Sequence, residues 1–131
     1  MTTRALMRAS ALFMGALGLV ATFLPGDILA YMGGTPHEFM VLAIQVTGAL
    51  YLGFAFLNWM AQGHLIGGIY SRPVAVGNFG HFTVAALALL KGVMSGQHDL
   101  PVIVAAAVYA AFAIAFALVL FRHPVPGGPG K

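Results

Sequence analysis

A helix needs about 20 predominantly apolar residues to cross a bilayer, and four stretches of the chain meet that length. They run from Ala5 to Leu24, from about Phe39 to Ala61, from about Val74 to Ser95, and from Pro101 to Phe121. Each is apolar around its whole circumference rather than along one stripe, as a lipid-facing bundle helix is. Strands of an outer-membrane barrel would be about 10 residues long and alternate in polarity; nothing here alternates. The pattern predicts an all-α, polytopic membrane protein: a four-transmembrane-helix bundle forming a single domain over residues 1–122.

Polar and special residues punctuate these runs. Thr35-Pro36-His37-Glu38 reads as a capping box with Pro at the first helical position, just before the second run. Asp99 with Pro101 marks the start of the fourth helix, and Pro73 after Ser71-Arg72 opens the third. Residues 27–32, between Pro25-Gly26 and Gly33-Gly34, read as a short interfacial helix with Tyr31 at headgroup level. The Pro- and Gly-rich segment 123–131 reads as a flexible tail. Arg4 and Arg8 before the first apolar run have the charge order of a secretory signal. That run is longer than a usual signal core, however, and no small-x-small cleavage pattern ends it: Ile28 and Ala30 are the nearest pair. Retention as the first span is expected.

Lys and Arg near the helix ends set the orientation. With a cytoplasmic N-terminus, Arg4, Arg8, Arg72, Arg122 and Lys131 share the cytoplasmic side. Asp27, Glu38 and Asp99 lie opposite, with Lys91 as the one nearby cation. Both termini are therefore expected in the cytoplasm of a multi-pass protein of the cell inner membrane.

Composition narrows the function classes. The 131 residues are 60% apolar and only 7% charged, with a mean hydropathy of +0.93. An ordinary soluble domain is roughly 25% charged, so a soluble globular protein is excluded. Six Lys/Arg against three Asp/Glu raise the pI without forming the basic cluster that neutralises phosphates, which excludes nucleic acid as a partner. The chain has no Cys, hence no disulfide, thiolate metal site or Cys nucleophile.

Inside the spans, polar residues are few. Thr47, Tyr51 and Asn58 fall at i, i+4 and i+11 on the second helix. Asn78 and His81 share a face of the third helix that continues through Ala85, Ala88 and Gly92. Asn58, Asn78 and His81 should all lie near the cytoplasmic end, in the layer of Trp59 and Arg72. Tyr51, Asn58, Trp59, Arg72, Asn78 and His81 thus form a candidate polar pocket opening toward the cytoplasm, with Asn58 and His81 expected to approach one another. The plainer reading is interhelical hydrogen bonding, with Trp59 and Arg72 as interfacial anchors. Lys91 is the sole formal charge well inside a span and Gln45 should stand at similar depth, so the two make a candidate intramembrane charge site. Alternatively Lys91 snorkels to the outer headgroups. Gly92-Val93-Met94-Ser95-Gly96, the line Ala107, Ala111, Ala115 and the line Ala106, Ala110 are candidate small-residue packing seams.

Four of the five histidines, His37, His64, His98 and His123, fall in loops or the tail. His81 alone is in a span, so no second axial ligand stands at matching depth for a haem. No metal site, no cofactor and no catalytic set is expected.

Phe23-Leu24-Pro25, Ile28-Leu29-Ala30-Tyr31-Met32-Gly33 and Gly48-Ala49-Leu50-Tyr51-Leu52-Gly53 give the first half of the chain a resemblance. It resembles the DoxX-like families of bacterial four-helix membrane proteins of unknown function. The resemblance covers about half the chain through small and apolar residues, and it implies the four-helix inner-membrane architecture without an activity. Four-helix multidrug exporters carry a Glu in the first helix, which is missing here. Four-helix glutathione-linked enzymes carry an Arg/Asn/Glu motif, of which Arg72, Asn78 and His81 lack the Glu.

The reading that follows is a small non-enzymatic inner-membrane protein, an accessory subunit or a binder of a lipid-like or quinone-like molecule. Its partners would be the lipid bilayer and either a larger membrane complex or further copies of itself. A small oligomeric transporter or channel, with Lys91 and Gln45 along its path, is the first alternative. A membrane enzyme acting on an amphipathic substrate, with His81 as acid/base and Arg72 binding an anionic group, is the second.

Overall fold

The computed structural model describes residues 2–63 and 71–122. The expected flexible tail 123–131, His64 and His123 lie outside the described residues. The chain is all-helical, with helices α1 (Thr3–Phe23), α2 (Pro25–Tyr31), α3 (Glu38–Ala61), α4 (Arg72–Met94) and α5 (Leu100–Phe121), and no strand among the described residues. Four of these, α1, α3, α4 and α5, are long and apolar enough to cross a membrane, with mean hydropathies of 1.5 to 2.7. At 1.5 Å per residue each reaches at least about 30 Å, the thickness of the hydrocarbon core. The protein is a multi-pass membrane protein. Its residues divide into two compact units, 1–63 and 64–131.

The caps show how local chemistry starts and stops the helices. Thr2 opens α1, its hydroxyl accepting from the Ala5 amide at 3.2 Å. The expected Thr35 capping box does not form. The N-cap of α3 is His37, whose Nδ1 accepts from the Phe39 amide at 3.3 Å, and Pro36 stays outside the helix. An imidazole acceptor two residues upstream does what the Thr hydroxyl would have done, so α3 begins at Glu38, whose carboxylate suits the positive end of the helix dipole.

Two helices end in the same glycine device. After α2, Gly33 has φ +77°, its amide bonds Ala30 O at 3.1 Å, and the Gly34 amide bonds Leu29 O at 2.9 Å. After α4, Gly96 has φ +106°, its amide bonds Val93 O at 3.2 Å, and the Gln97 amide bonds Gly92 O at 3.1 Å. Both are Schellman caps, which need a left-handed residue just beyond the helix. The match Gly92 to Gly96 is therefore a helix stop and not a packing seam, because Gly96 lies outside α4. The buried row of α5 also differs from the expected Ala107–Ala111–Ala115 line, since Ala107 and Ala111 are exposed. It is Ala106, Tyr109, Ala113 and Phe116.

In the first unit α1 and α3 run antiparallel. Gly15 stands opposite Ala55, with 3.6 Å between a methyl built on Gly15 and the Ala55 Cβ. Further along, Gly18 meets Gly48 and Leu52. A methyl added at Gly48 would lie 2.5 Å from Thr22 Oγ1, 2.8 Å from Thr22 N and 3.0 Å from Gly18 O. One added at Gly18 would lie 2.8 Å from Leu52 Cγ, 2.9 Å from Leu52 N and 3.0 Å from Gly48 O. Backbone touches backbone here. In lipid, where apolar side chains gain nothing by leaving the solvent, such close approach is what holds two helices together.

The second unit uses rings instead. Phe82, fully buried, stacks on Phe112 at 4.7 Å and 21° and on Phe116 at 5.7 Å and 10°. Tyr109 lies tilted against Phe82 at 5.5 Å, and Phe79 meets Phe121 edge-on at 5.7 Å. Aromatic pairs at these centroid distances contribute about 0.5–1.5 kcal/mol beyond area burial, so dispersion and quadrupole contacts between rings join the α4–α5 pair.

The Gly18–Gly48 crossing can be probed against a glycine that touches nothing. Gly48→Ala should lower stability by about 1–3 kcal/mol, the cost of overpacking against backbone atoms that cannot move aside. Gly53→Ala, where an added methyl finds no atom within 4 Å, should be neutral or stabilising by up to about 1 kcal/mol through helix propensity. Thermal unfolding in one detergent measures both; equal effects would contradict the crossing.

Candidate functional site

Polar side chains in the first unit line the α1–α3 seam at three levels. At one end Arg8 Nε donates to Gln62 Oε1. One turn further, Asn58 Nδ2 donates to Ser10 Oγ at 3.1 Å, and Ser10 Oγ in turn donates to Met7 O at 3.0 Å. Asn58 and Ser10 are both fully buried. At the far end Gln45 Nε2 donates to Thr22 O at 3.4 Å. Between the second and third levels stands the glycine crossing, which brings the facing donors and acceptors within reach.

The structure distributes the sequence candidates over both units. Tyr51, Asn58 and Trp59 belong to α3. Tyr51 is half-buried, Asn58 buried, and Trp59 half exposed. The expectation that Thr47, Tyr51 and Asn58 act as one polar face meets a difference: Thr47 is exposed and its hydroxyl donates back to Ala43 O at 2.8 Å. Such back-bonding satisfies a hydroxyl without a partner helix. Arg72, Asn78 and His81 belong to α4. Arg72 is exposed at its first residue. Asn78 is fully buried, and its Nδ2 donates to Val74 O one turn back at 2.9 Å. His81 is half-buried, its ring 5.2 Å from Phe82 and 5.8 Å from Tyr109. Lys91 is exposed in the last turn of α4, where a cation suits the negative end of the helix dipole. Gln45 is half-buried and engaged with Thr22, as described above.

Ser10, Gln62 and Gly18 escape the sequence reading, and Gly48 enters it only within the segment that carries the family resemblance, not as a packing position. Ser10 is the one hydroxyl deep in the first span, and pairing it with Asn58 requires the register that the glycines set. Tyr109 escapes as well. It is the single polar ring in a run of Ala, Val and Phe, and its position matches His81 only once α4 and α5 are laid antiparallel.

Two apolar grooves mark the surface of the first unit. The larger, about 530 Å³, is lined by Val46, Ala49, Leu50, Gly53, Phe54 and Leu57, all of α3. The smaller, about 360 Å³, lies between α1 and α3 and is lined by Ala11, Leu12, Ala55, Phe56 and Trp59. Among the described residues no three His, Asp or Glu side chains come together as a metal site would need.

Compared with family models, curated proteins and solved structures, the chain matches none of them.

A double-mutant cycle separates seam chemistry from site chemistry at Asn58. If the Ser10–Asn58 bond is an interhelical tie, Ser10→Ala and Asn58→Ala should couple by about 0.6 kcal/mol, the mean for such bonds in a membrane protein. Unfolding in detergent gives the coupling, and additive effects would show that the bond does not join α1 to α3.

Proposed function

We propose that the chain is a non-enzymatic inner-membrane protein that binds a lipid-like or quinone-like molecule through a hydrocarbon chain laid along α3. The observation that carries this reading is the α3 groove. It lies on a membrane-spanning helix of mean hydropathy 1.9, and every residue that lines it is apolar or glycine, so a hydrocarbon chain matches its chemistry. No hydrophobic force drives a chain from bilayer to groove, since both are apolar. An unfilled void, however, forfeits dispersion contacts on every lining atom, and a chain that fits the groove recovers them. From Val46 to Leu57 the groove runs about 16 Å along the axis, half of a core about 30 Å thick. That length suits one acyl or isoprenyl chain of a single leaflet.

Gly53 shapes the groove. A glycine in mid-helix costs about 0.5–1 kcal/mol relative to Ala, and this one relieves no crowding within the protein. Its use is the notch it leaves. The resemblance of the first half to DoxX-like proteins belongs to the same reading, as does the role of Lys91 as an outer headgroup anchor.

Orientation is part of the proposal. In the first unit Arg4, Arg8 and the Arg8–Gln62 bond lie at one end of the α1–α3 pair, and Asp27 and Glu38 at the other. In the second, Arg72 and Arg122 share one end of the α4–α5 pair, and Lys91 and Asp99 the other. By the positive-inside rule the arginine ends are cytoplasmic.

Protein extracted in mild detergent should carry a co-purifying phospholipid or quinone, and Gly53→Leu should lose it with an unchanged melting temperature. A wild type with nothing bound, or a Gly53→Leu variant retaining the same molecule, would overturn the reading. Because the chain has no Cys, orientation is directly accessible. Asp27→Cys and Asp99→Cys should react with an impermeant maleimide added outside intact cells, and Thr3→Cys only after lysis; the reverse pattern contradicts the orientation.

A further inference from the structure

The smaller groove ends where the first unit carries its positive charge. Arg4, Arg8 and Leu12 stand at four-residue intervals, one row of the α1 surface, and all three are exposed. Leu12 and its neighbour Ala11 line the groove one turn below Arg8. From α3 the groove takes Ala55 and Phe56, and at its rim Trp59, half exposed, at the depth where indole rings collect in membranes. Gln62 holds Arg8 through Nε alone, and the two terminal amino groups have no hydrogen bond among the described residues. No acidic side chain stands in the first turn of α1, and the acids of this unit, Asp27 and Glu38, lie at the opposite end of the α1–α3 pair.

We infer that the α1–α3 groove is a binding site for one anionic glycerophospholipid, its phosphate on the Arg8 guanidinium and an acyl chain against Leu12, Ala55 and Phe56. Charge complementarity selects the occupant. A guanidinium presents paired N–H groups that match phosphate oxygens. An Arg placed one turn inside a span keeps its head at the interface by snorkelling, at the height of a lipid phosphate. Gln62 restricts the guanidinium before the lipid arrives, so less side-chain freedom is lost on binding. Arg4, a turn nearer the end, adds a second positive charge to the same row. None of the residues lining the larger groove takes part, so this site stands or falls independently of the proposed function.

The test uses the full chain in nanodiscs of phosphatidylcholine and phosphatidylglycerol in equal parts, with retained lipids counted by native mass spectrometry. Wild type should retain phosphatidylglycerol over phosphatidylcholine. Arg8→Gln should reduce that preference about fivefold, the size of one basic side chain's attraction to an anionic surface, while Arg8→Lys should keep most of it. Arg122→Gln, a charge removed from the other unit, should leave it unchanged. Excess inorganic phosphate should not displace the lipid, because the groove holds its chain. No preference in wild type, an unchanged preference in Arg8→Gln, an equal loss in Arg122→Gln, or displacement by phosphate would each overturn the inference. Should Arg8→Gln not fold, Leu12→Glu replaces it, and a preference that survives a carboxylate in the groove would count against the site.

Discussion

The first unit depends on one contact, the passage of Gly18 over Gly48 with no room for a side chain between them. In water, two apolar helices would be pushed together by the solvent. In lipid that push is absent, and what remains is dispersion at short range and hydrogen bonds across the seam. Dispersion falls steeply with distance, so two backbones in contact fix the register as few other pairings could. The register then does the rest. It brings Asn58 to Ser10 on one side of the crossing and Gln45 to the Thr22 carbonyl on the other, and it sets Gln62 beside Arg8. These bonds contribute little singly, yet each would be out of reach if α3 slid by one turn.

The second unit shows a different solution to the same absence of a hydrophobic push. Phe82 gathers Tyr109, Phe112 and Phe116 from three consecutive turns of α5. Broad ring faces supply the contact area that bare backbones supply in the first unit. His81 is drawn into this cluster beside Tyr109, so its surroundings are aromatic as well as polar.

Much of the fold was legible in the sequence because length and hydropathy are one-dimensional properties. Four runs of apolar residues need no partner to be recognised, and Pro73 and Pro101 announce helix starts through their own φ; Pro25, read as the stop of the first span, instead opens α2. The details that escaped are relational. Gly18 and Gly48 are ordinary glycines in Gly-rich spans until the helices are laid side by side. Thr35 reads as a cap because hydroxyls usually are; His37 takes the position, its ring nitrogen accepting from the Phe39 amide. Gly92 and Gly96 matched a packing motif by spacing alone, while the positive φ of Gly96 makes it a stop signal. Of the site, Asn58 and Gln45 were identified as polar residues worth weighing. Their partners Ser10 and Thr22 depend on a register that no spacing within one helix encodes.

The α1–α3 crossing also explains why the first unit has grooves to offer. Small residues at Gly15, Gly18 and Gly48 let α3 lie so close to α1 that the crossing itself needs little of its surface, and the rest of α3 stays exposed. Gly53 cuts a notch in one groove of α3, and a second groove runs between α1 and α3 at Trp59. The central claim is that hydrocarbon chains occupy these recesses. A density map of the full chain purified with its native lipid tests it most directly. The account predicts continuous chain-like density over Gly53, about one leaflet long, and separate chain density in the α1–α3 groove with a headgroup peak beside Arg8. Featureless density along α3, or a protein helix in its place, would contradict it.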